Sequence, residues 1–440
     1  MRTSRAAVRG YPCRSDHVRT GRCDVGEYPV VEPESGGDTP TAGPANGYGE
    51  ARSRPNRARW AGRLSATPRT DMTSSLDTVR ERLRRFAEYE AADSSPLYSH
   101  LAAEAAGDDD VARLLTAASG NDAHPTLLLA AAHRLLQSEP IHPLTRYYPS
   151  LGGLDGPDEQ TWSLFREFVL DRAKAMRELV GTRFTQTNEV RRAAVLYPAV
   201  ASVAKRVRGA VGLLEVGCSA GLLLGMDTFS YRYLCDGGEQ ITAGPAKAAV
   251  GLHCALATGP EAVFPALPRK VTVSARVGLD RSPVDASDEE ELAWLEACVW
   301  ADQPDRIRLL RTAAAAQRRK PPELVAGDAV DDFATAAARV PDEVPLVVFT
   351  SFALPYLSAT RRDDFVAALR EVASRRRLWW VAMEDYAAGL RHVLPGRDEL
   401  SYAVTGRATL GLVSFENGQA SAEVKAQAVP HGQRMTWLAS

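Results

Sequence analysis

The residue pattern with the clearest chemical promise is Leu213-Leu-Glu-Val-Gly-Cys-Ser-Ala-Gly221, an apolar run that ends in small residues. In an open α/β sheet, ligands sit beyond the carboxyl ends of the strands, and small residues there let the backbone approach them. The spacing Gly217-x-x-x-Gly221 departs from the G-x-G-x-x-G pyrophosphate fingerprint, and no Gly-Lys-Ser/Thr follows. A ligand without phosphates is favoured over a nicotinamide dinucleotide or a nucleoside triphosphate. A second polar group, Gln186-Thr-Asn-Glu189, is flanked by Arg183 and Arg192. A bidentate arginine there would hold a substrate carboxylate. Equally, Thr187 or Asn188 would cap the helix running through Val200 while Glu189 offsets its dipole. Cys218 fits a tight turn but has no demonstrable histidine partner to activate it.

The elements that must position these groups follow from apolar periodicity. Val211 to Val216, Val271 to Leu279, Glu323 to Ala326, Leu346 to Phe349 and Leu378 to Met383 read as buried strands. A helix is expected to begin near Leu222, and further helices over Ser287 to Trp300 and Arg361 to Arg375. Strands alternating with helices imply a doubly wound, mainly parallel sheet. Thr409 to Phe415, Asn417-Gly418 and Ala420 to Val429 read as a C-terminal antiparallel hairpin with a type I′ turn. The domain expected over 206–440 carries an insertion at about 231–270, turning at Gly237-Gly238.

Upstream, 72–205 reads as an all-α domain or cap, with Trp162, Phe165, Val169, Met176 and Leu179 at helical spacing. Between its helices, the loop His142 to Pro149 is extended by its two prolines and is placed to reach over a site. Residues 1–71, rich in Arg, Gly, Pro, Ser and Thr, have the composition of a disordered tail. Met72 opens the regular pattern, so the start of translation is open to reassignment.

Bulk properties exclude several classes. Among 440 residues, 53 basic and 55 acidic side chains nearly cancel, so no global field indicates a nucleic acid or an anionic membrane. With no apolar run long enough to span a bilayer and no signal peptide, a cytoplasmic location is expected. The six cysteines form neither a disulfide framework nor paired zinc hooks. Cys13, His17 and Cys23 lack a fourth ligand, so no metal site is expected.

Glu215-x-Gly217-x-Ser219-x-Gly221 resembles the first motif of class I S-adenosylmethionine-dependent methyltransferases, with Ser219 in place of the middle glycine. The resemblance implies a methyltransferase-like fold for 206–440 and S-adenosylmethionine as cofactor. By this resemblance Glu215, Gly217, Ser219 and Gly221 form the cofactor turn, Asp280 accepts from the ribose hydroxyls, and Asp328 accepts from the adenine amino group. For both aspartates, capping of the following helix is the competing role. Thr350 and Ser351, beyond the fourth strand, become substrate-side candidates together with Arg183 and Asn188. His431, Glu189 and Tyr356 are the catalytic candidates, His431 by analogy as the base.

Over nearly all of 72–440 the chain is also similar to an uncharacterised, mostly actinobacterial family, domain of unknown function 2332. The similarity rests on Pro96-Leu-Tyr98, His142-Pro-Leu, Tyr148-Pro149, Gln186-Thr-Asn-Glu189, Leu214 to Gly221, Gly278-Leu-Asp-Arg-Ser-Pro283, Trp294-Leu295, Gly327-Asp328 and His431-Gly432. Leu223 stands where the family pattern has an asparagine. The expected function is methyl transfer from S-adenosylmethionine to a small-molecule acceptor. The amino-methyltransferase signature is absent, which counts against nucleic-acid bases. The alternative is a non-catalytic cofactor-binding or scaffold protein of the same fold.

Overall fold

The computed structural model describes residues 74–438 except 120, 121 and 417. The expected tail, the Cys13, His17 and Cys23 trio, and Asn417 of the expected turn lie outside the described residues. Among the described residues six α-helices come first: α1 (Leu76–Arg85), α2 (Pro96–Gly107), α3 (Asp109–Leu115), α4 (Pro125–Leu136), α5 (Glu159–Asp171) and α6 (Ala173–Thr182). The sequence starts them by local chemistry. Ser75, Ser95, Asp108 and Asp158 accept first-turn amides of α1, α2, α3 and α5, and Pro96 and Pro125 open α2 and α4, where a missing N–H costs nothing. Their apolar faces meet in one core that includes Leu83, Leu101, Leu115, Leu128 and Phe165.

The loop expected to arch over a site belongs to this core instead. Leu144, Tyr147 and Tyr148 are fully buried in it, because their apolar bodies outweigh the extended preference of the flanking prolines.

Helix α7 (Ala193–Val207) lies in the expected helical region, yet its apolar face packs with the sheet. The strands are β1 (Val211–Val216), β2 (Ser230–Cys235), β3 (Gln240–Ala243), β4 (Gly251–Thr258), β5 (Val273–Asp280), β6 (Glu323–Ala326), β7 (Leu346–Ser351), β8 (Leu378–Glu384), β9 (Ala408–Glu416), β10 (Gln419–Ala428) and β11 (Arg434–Trp437). They form a single sheet in the order β3-β2-β4-β11-β10-β9-β8-β7-β1-β5-β6. The block β6-β5-β1-β7-β8 is parallel throughout. Its order reverses at β1, where one connection leads to β5 and the next parallel neighbour, β7, lies on the other side. That is the switch point of a doubly wound sheet, where a crevice opens beyond the strand ends.

Both faces of this block are covered. Leu213, Val347, Phe349 and Val381 point into the core under α7 and α9 (Pro304–Gln317). Leu214, Val348 and Trp380 point into the opposite core under α10 (Phe333–Ala337) and α11 (Ala359–Ala373). Continuous apolar runs are what burial on two faces demands.

The hairpin forms as expected, with β9 antiparallel to β8 and β10 antiparallel to β9. The stretch from 231 to 270 does contain the turn at Gly237-Gly238, between β2 and β3. It is more than an excursion: β4 pairs parallel with the C-terminal β11, so β2, β3 and β4 extend the same sheet. Tyr231 stacks on Tyr197 of α7 at 4.2 Å, and the Tyr233 hydroxyl donates to the Ala194 carbonyl.

The helix expected near Leu222 is only a 3-10 turn, Leu222–Thr228, which leads straight into β2. The alternating pattern of Ser230 to Leu234, buried on one side, wins over helix continuation.

Helix α8 (Glu289–Ala297) joins the two parts. Trp294 sits in the helical core, and its indole N–H donates to the Phe184 carbonyl at 3.1 Å. His133 of α4 lies between the Ser150 hydroxyl and the Ala297 carbonyl, and burial lowers its pKa to about 4. Trp294→Ala should therefore cost about 3–5 kcal/mol. Urea unfolding of the full chain checks this value.

Candidate functional site

A strap of chain, from Arg183 to Arg192, crosses the carboxyl ends of β1, β5 and β7 and is pinned at several points. The Arg183 guanidinium holds both oxygens of Glu291 at 2.8 and 2.7 Å and lies over Trp294. It fastens the strap to α8. The Gln186 amide donates to the Ser282 carbonyl at 3.0 Å. Asn188 donates to the Ser219 hydroxyl at 3.0 Å and accepts from the Ala220 amide at 3.3 Å. The expected substrate contact Asn188 is thus a brace on the glycine turn.

That turn is held in unusual backbone geometry. Gly217 (φ 76°), Ser219 (φ 48°) and Gly221 (φ 65°) all adopt the left-handed region. Ser219 is the one with a side chain, and its hydroxyl bond to Asn188 helps keep it there. Asp280, at the end of β5, accepts from the Ser219 amide at 2.8 Å and the Ser282 amide at 2.9 Å, one oxygen to each.

The space beside the glycines is occupied by the protein itself. A Cβ on Gly217 would stand 2.4 Å from the Ala353 methyl, and one on Gly221 would stand 3.0 Å from Leu324. The glycines are required for the turn's own packing. Behind Gly221, a cavity of about 60 Å³ lined by Leu224, Phe229, Arg276 and Gln317 has room for about two waters and none for a nucleoside.

Asp328 caps its own turn. Its carboxylate accepts from the Val330 and Asp331 amides and from Arg361 and Arg281. The capping role is the one its geometry shows, and the expected adenine contact has no support from it. Cys218 is 3% exposed, and burial, with Glu215 and Asp280 adding to it, holds the thiol well above its usual pKa, so it is no nucleophile.

Glu215 is different. It is 4% exposed, and its Oε2 is buried with no hydrogen-bond partner among the described residues. Burial and the neighbouring Asp280 push its carboxyl well above the ordinary range, against a smaller pull from Arg192. A buried acceptor without a donor costs about 1–3 kcal/mol, so this oxygen is a place where a ligand donor would be favourable.

The strap's far end brings two of the catalytic candidates together. Glu189 Oε2, almost wholly enclosed, lies 2.7 Å from Arg306 Nε of α9 and 3.4 Å from His431 Nδ1. Neither contact is aligned as a hydrogen bond, and the one to Arg306 attracts by charge. Burial alone would raise the Glu189 carboxyl; His431, Arg306 and the Arg191 amide overcome it and hold it at about 2. Gly432 lets the His431 turn come this close, since a Cβ there would meet the Arg191 carbonyl at 2.6 Å. Burial lowers the His431 pKa, with Arg306 and Arg192 assisting against the pull of Glu189, so the imidazole is neutral at pH 7. Nδ1 faces the carboxylate, which leaves Nε2 as the available nitrogen.

Arg192 is 7% exposed. Its Nε donates to the Pro430 carbonyl and its Nη1 to the Ser351 carbonyl, while the guanidinium lies 4.6 Å from the Phe352 ring centroid. Phe352 itself has a left-handed φ of 55°. The Ser351 hydroxyl is the other acceptor of Arg192, and the Thr350 hydroxyl accepts from the Trp380 indole. Each hydroxyl accepts in these bonds and has a donor O–H besides. Tyr356 is 86% exposed at the rim.

Two members of the cluster were not legible in the sequence. Arg306 lies inside an ordinary amphipathic helix, and Glu384 closes an apolar strand; neither carries a motif. Glu384 is 1% exposed and accepts from the Ala353 amide at 3.1 Å. Burial pushes its pKa to about 7, opposed by that amide, the Thr350 hydroxyl, the Leu354 amide and Arg192.

No group of three or more His, Cys, Asp or Glu among the described residues is arranged to hold a metal ion, and no helix among them is long and apolar enough to cross a membrane.

Several of the sequence segments singled out above meet at this face: Gln186 to Glu189, Leu214 to Gly221, Gly278 to Pro283, and His431-Gly432. The model of a family described as an uncharacterized protein conserved in bacteria (DUF2332) matches residues 80–437. The chain belongs to this family. That match spans nearly all of the helical layer, the strap and the whole sheet. No curated protein matches the chain.

Glu384 gives a pH test. The folded chain binds its proton more tightly than the unfolded chain does, so its contribution is complete below the ordinary 4.5 and is lost as pH rises towards about 7. Glu384→Gln should remove that loss. In urea unfolding, the variant should match the wild type near pH 4.5 and exceed it by roughly 2–3 kcal/mol above pH 7.

Proposed function

We propose that the crevice at the switch point binds S-adenosylmethionine and that the protein transfers its methyl group to a small-molecule acceptor. The observation that carries this reading is Glu215 Oε2, enclosed and, among the described residues, without a hydrogen-bond donor, at the carboxyl end of β1 beside Asp280. The cofactor's ammonium group is the kind of donor this oxygen lacks, and a cation would let the carboxyl ionise. Each Asp280 oxygen accepts a single amide and keeps lone-pair capacity for a ribose hydroxyl. The reading therefore rests on Glu215, Asp280 and the Gly217 to Gly221 backbone, and no longer includes Asp328.

When bound, the cofactor supplies an electrophilic methyl on a sulfonium. The protein's own work is alignment and removal of one proton. Glu189 holds His431 through Nδ1, and Nε2 takes the proton from the acceptor's nucleophile.

The filled space beside Gly217 and Gly221 favours a second reading, a non-catalytic scaffold of the same fold. Isotope-labelled methyl that never leaves the cofactor across a metabolite extract would support it.

Calorimetric titration of the full chain with S-adenosylmethionine, S-adenosylhomocysteine and NAD tests the cofactor. The two adenosyl ligands should bind and NAD should not, and Asp280→Ala should weaken adenosyl binding by about 1–3 kcal/mol. Binding of NAD alone, or of none of the three, would overturn the proposal.

A further inference from the structure

The charges around His431 do not balance. Arg192 is enclosed, yet its hydrogen-bond partners are neutral oxygens of Pro430 and Ser351. Arg306 shares the single carboxylate of Glu189 with His431, and its Nη1 bonds the neutral amide of Gln303. Arg191 adds further positive charge against Arg306. On the acid side, Glu189 is held ionised, whereas burial pushes Glu215 and Glu384 towards their neutral forms. Two guanidiniums thus face one firmly ionised carboxylate in a poorly solvated place.

Buried cations in excess are costly unless an anion completes the set. Among the described residues, the hydrogen bonds of Arg192 and Arg306 use Nε and Nη1, and the Nη2 group of each makes none. The planar donor fork of arginine matches the oxygens of a carboxylate or a phosphate.

We propose that Arg192 and Arg306 form an oxyanion subsite beside His431, which selects a small acceptor bearing a carboxylate or a phosphate and presents its nucleophile to Nε2. That the bound anion is a methyl acceptor rests on the function proposed above; that an anion binds here does not. The subsite also gives the strap a task, because the Glu189 contact holds Arg306 and His431 at one carboxylate oxygen.

The test follows the His431 imidazole by proton NMR in the full chain, assigned with His431→Gln, during titration with benzoate, phenyl phosphate or the neutral benzamide. No adenosyl ligand is present. Benzoate or phenyl phosphate should raise the His431 pKa by about half a unit or more, as a new negative charge beside the ring requires, and benzamide should not. The arm with the lower half-saturating concentration identifies the oxyanion. Arg306→Lys keeps a cation against Glu189 but loses the fork, and should raise the half-saturating anion concentration at least about fivefold. Arg192→Gln should do the same, with the melting temperature reporting that each variant is folded. No shift with either anion, an equal shift with benzamide, or an unchanged response in a folded Arg306→Lys protein would overturn the subsite. An anion response without adenosyl binding would remove the methyl-transfer reading and leave the subsite standing.

Discussion

The Glu189 carboxylate organises the face on which the proposed chemistry depends. It sits almost wholly out of water, and the groups around it make that tolerable: the Arg306 guanidinium from α9 and the neutral His431 ring from the turn before β11 lie against one oxygen, while the Arg191 amide reaches the other. Removing Arg306 would leave the Glu189 charge stranded in a poorly solvated place, which is far more costly than losing a surface ion pair. This one contact therefore ties together three parts of the chain distant in sequence. With the neighbouring Asn188, it fixes where the strap lies over the glycine turn.

The sheet explains why those parts can meet. The order β6-β5-β1-β7-β8 places its switch point at β1, so the Glu215 to Gly221 turn opens between β5 and β7. The antiparallel strands then carry the chain away from β8, and β11 returns beside β4. The turn that precedes β11 brings His431 and Gly432 back against the strap. The segment between β1 and β5 gives β11 a partner on its far side. It is a structural complement to the C-terminus, and the position of His431 depends on it.

Much of the parallel block was legible in the sequence because strands buried on both faces read as unbroken apolar runs; β1 and β6 have the boundaries that their apolar residues set. The strands beyond β11 were not, since β2 and β4 alternate over short stretches and carry none of the unbroken apolar runs of the parallel block. The helix expected after Gly221 was overridden by tertiary context, as Tyr231 and Tyr233 are needed against α7. Within the site, the turn and the strap announced themselves through residue type and spacing. What could not be read was which partner each side chain would choose. Arg183 pairs with Glu291, Asp328 with its own amides and two arginines, and Thr350 with an indole, while Glu189 and His431, far apart in sequence, come together. Arg306 and Glu384 have no local signature at all. Their importance is a matter of burial, which only the fold determines.

The central physical claim is that Glu215 is a protonated, donor-starved carboxyl awaiting a cationic group. Calorimetry of S-adenosylmethionine binding in buffers of different ionisation enthalpy measures it most directly, since a carboxyl that ionises on binding releases its proton to the buffer. At neutral pH the wild type should release about one proton per ligand bound and Glu215→Gln about none. Binding to the wild type without proton release, or the same release from Glu215→Gln, would contradict the account.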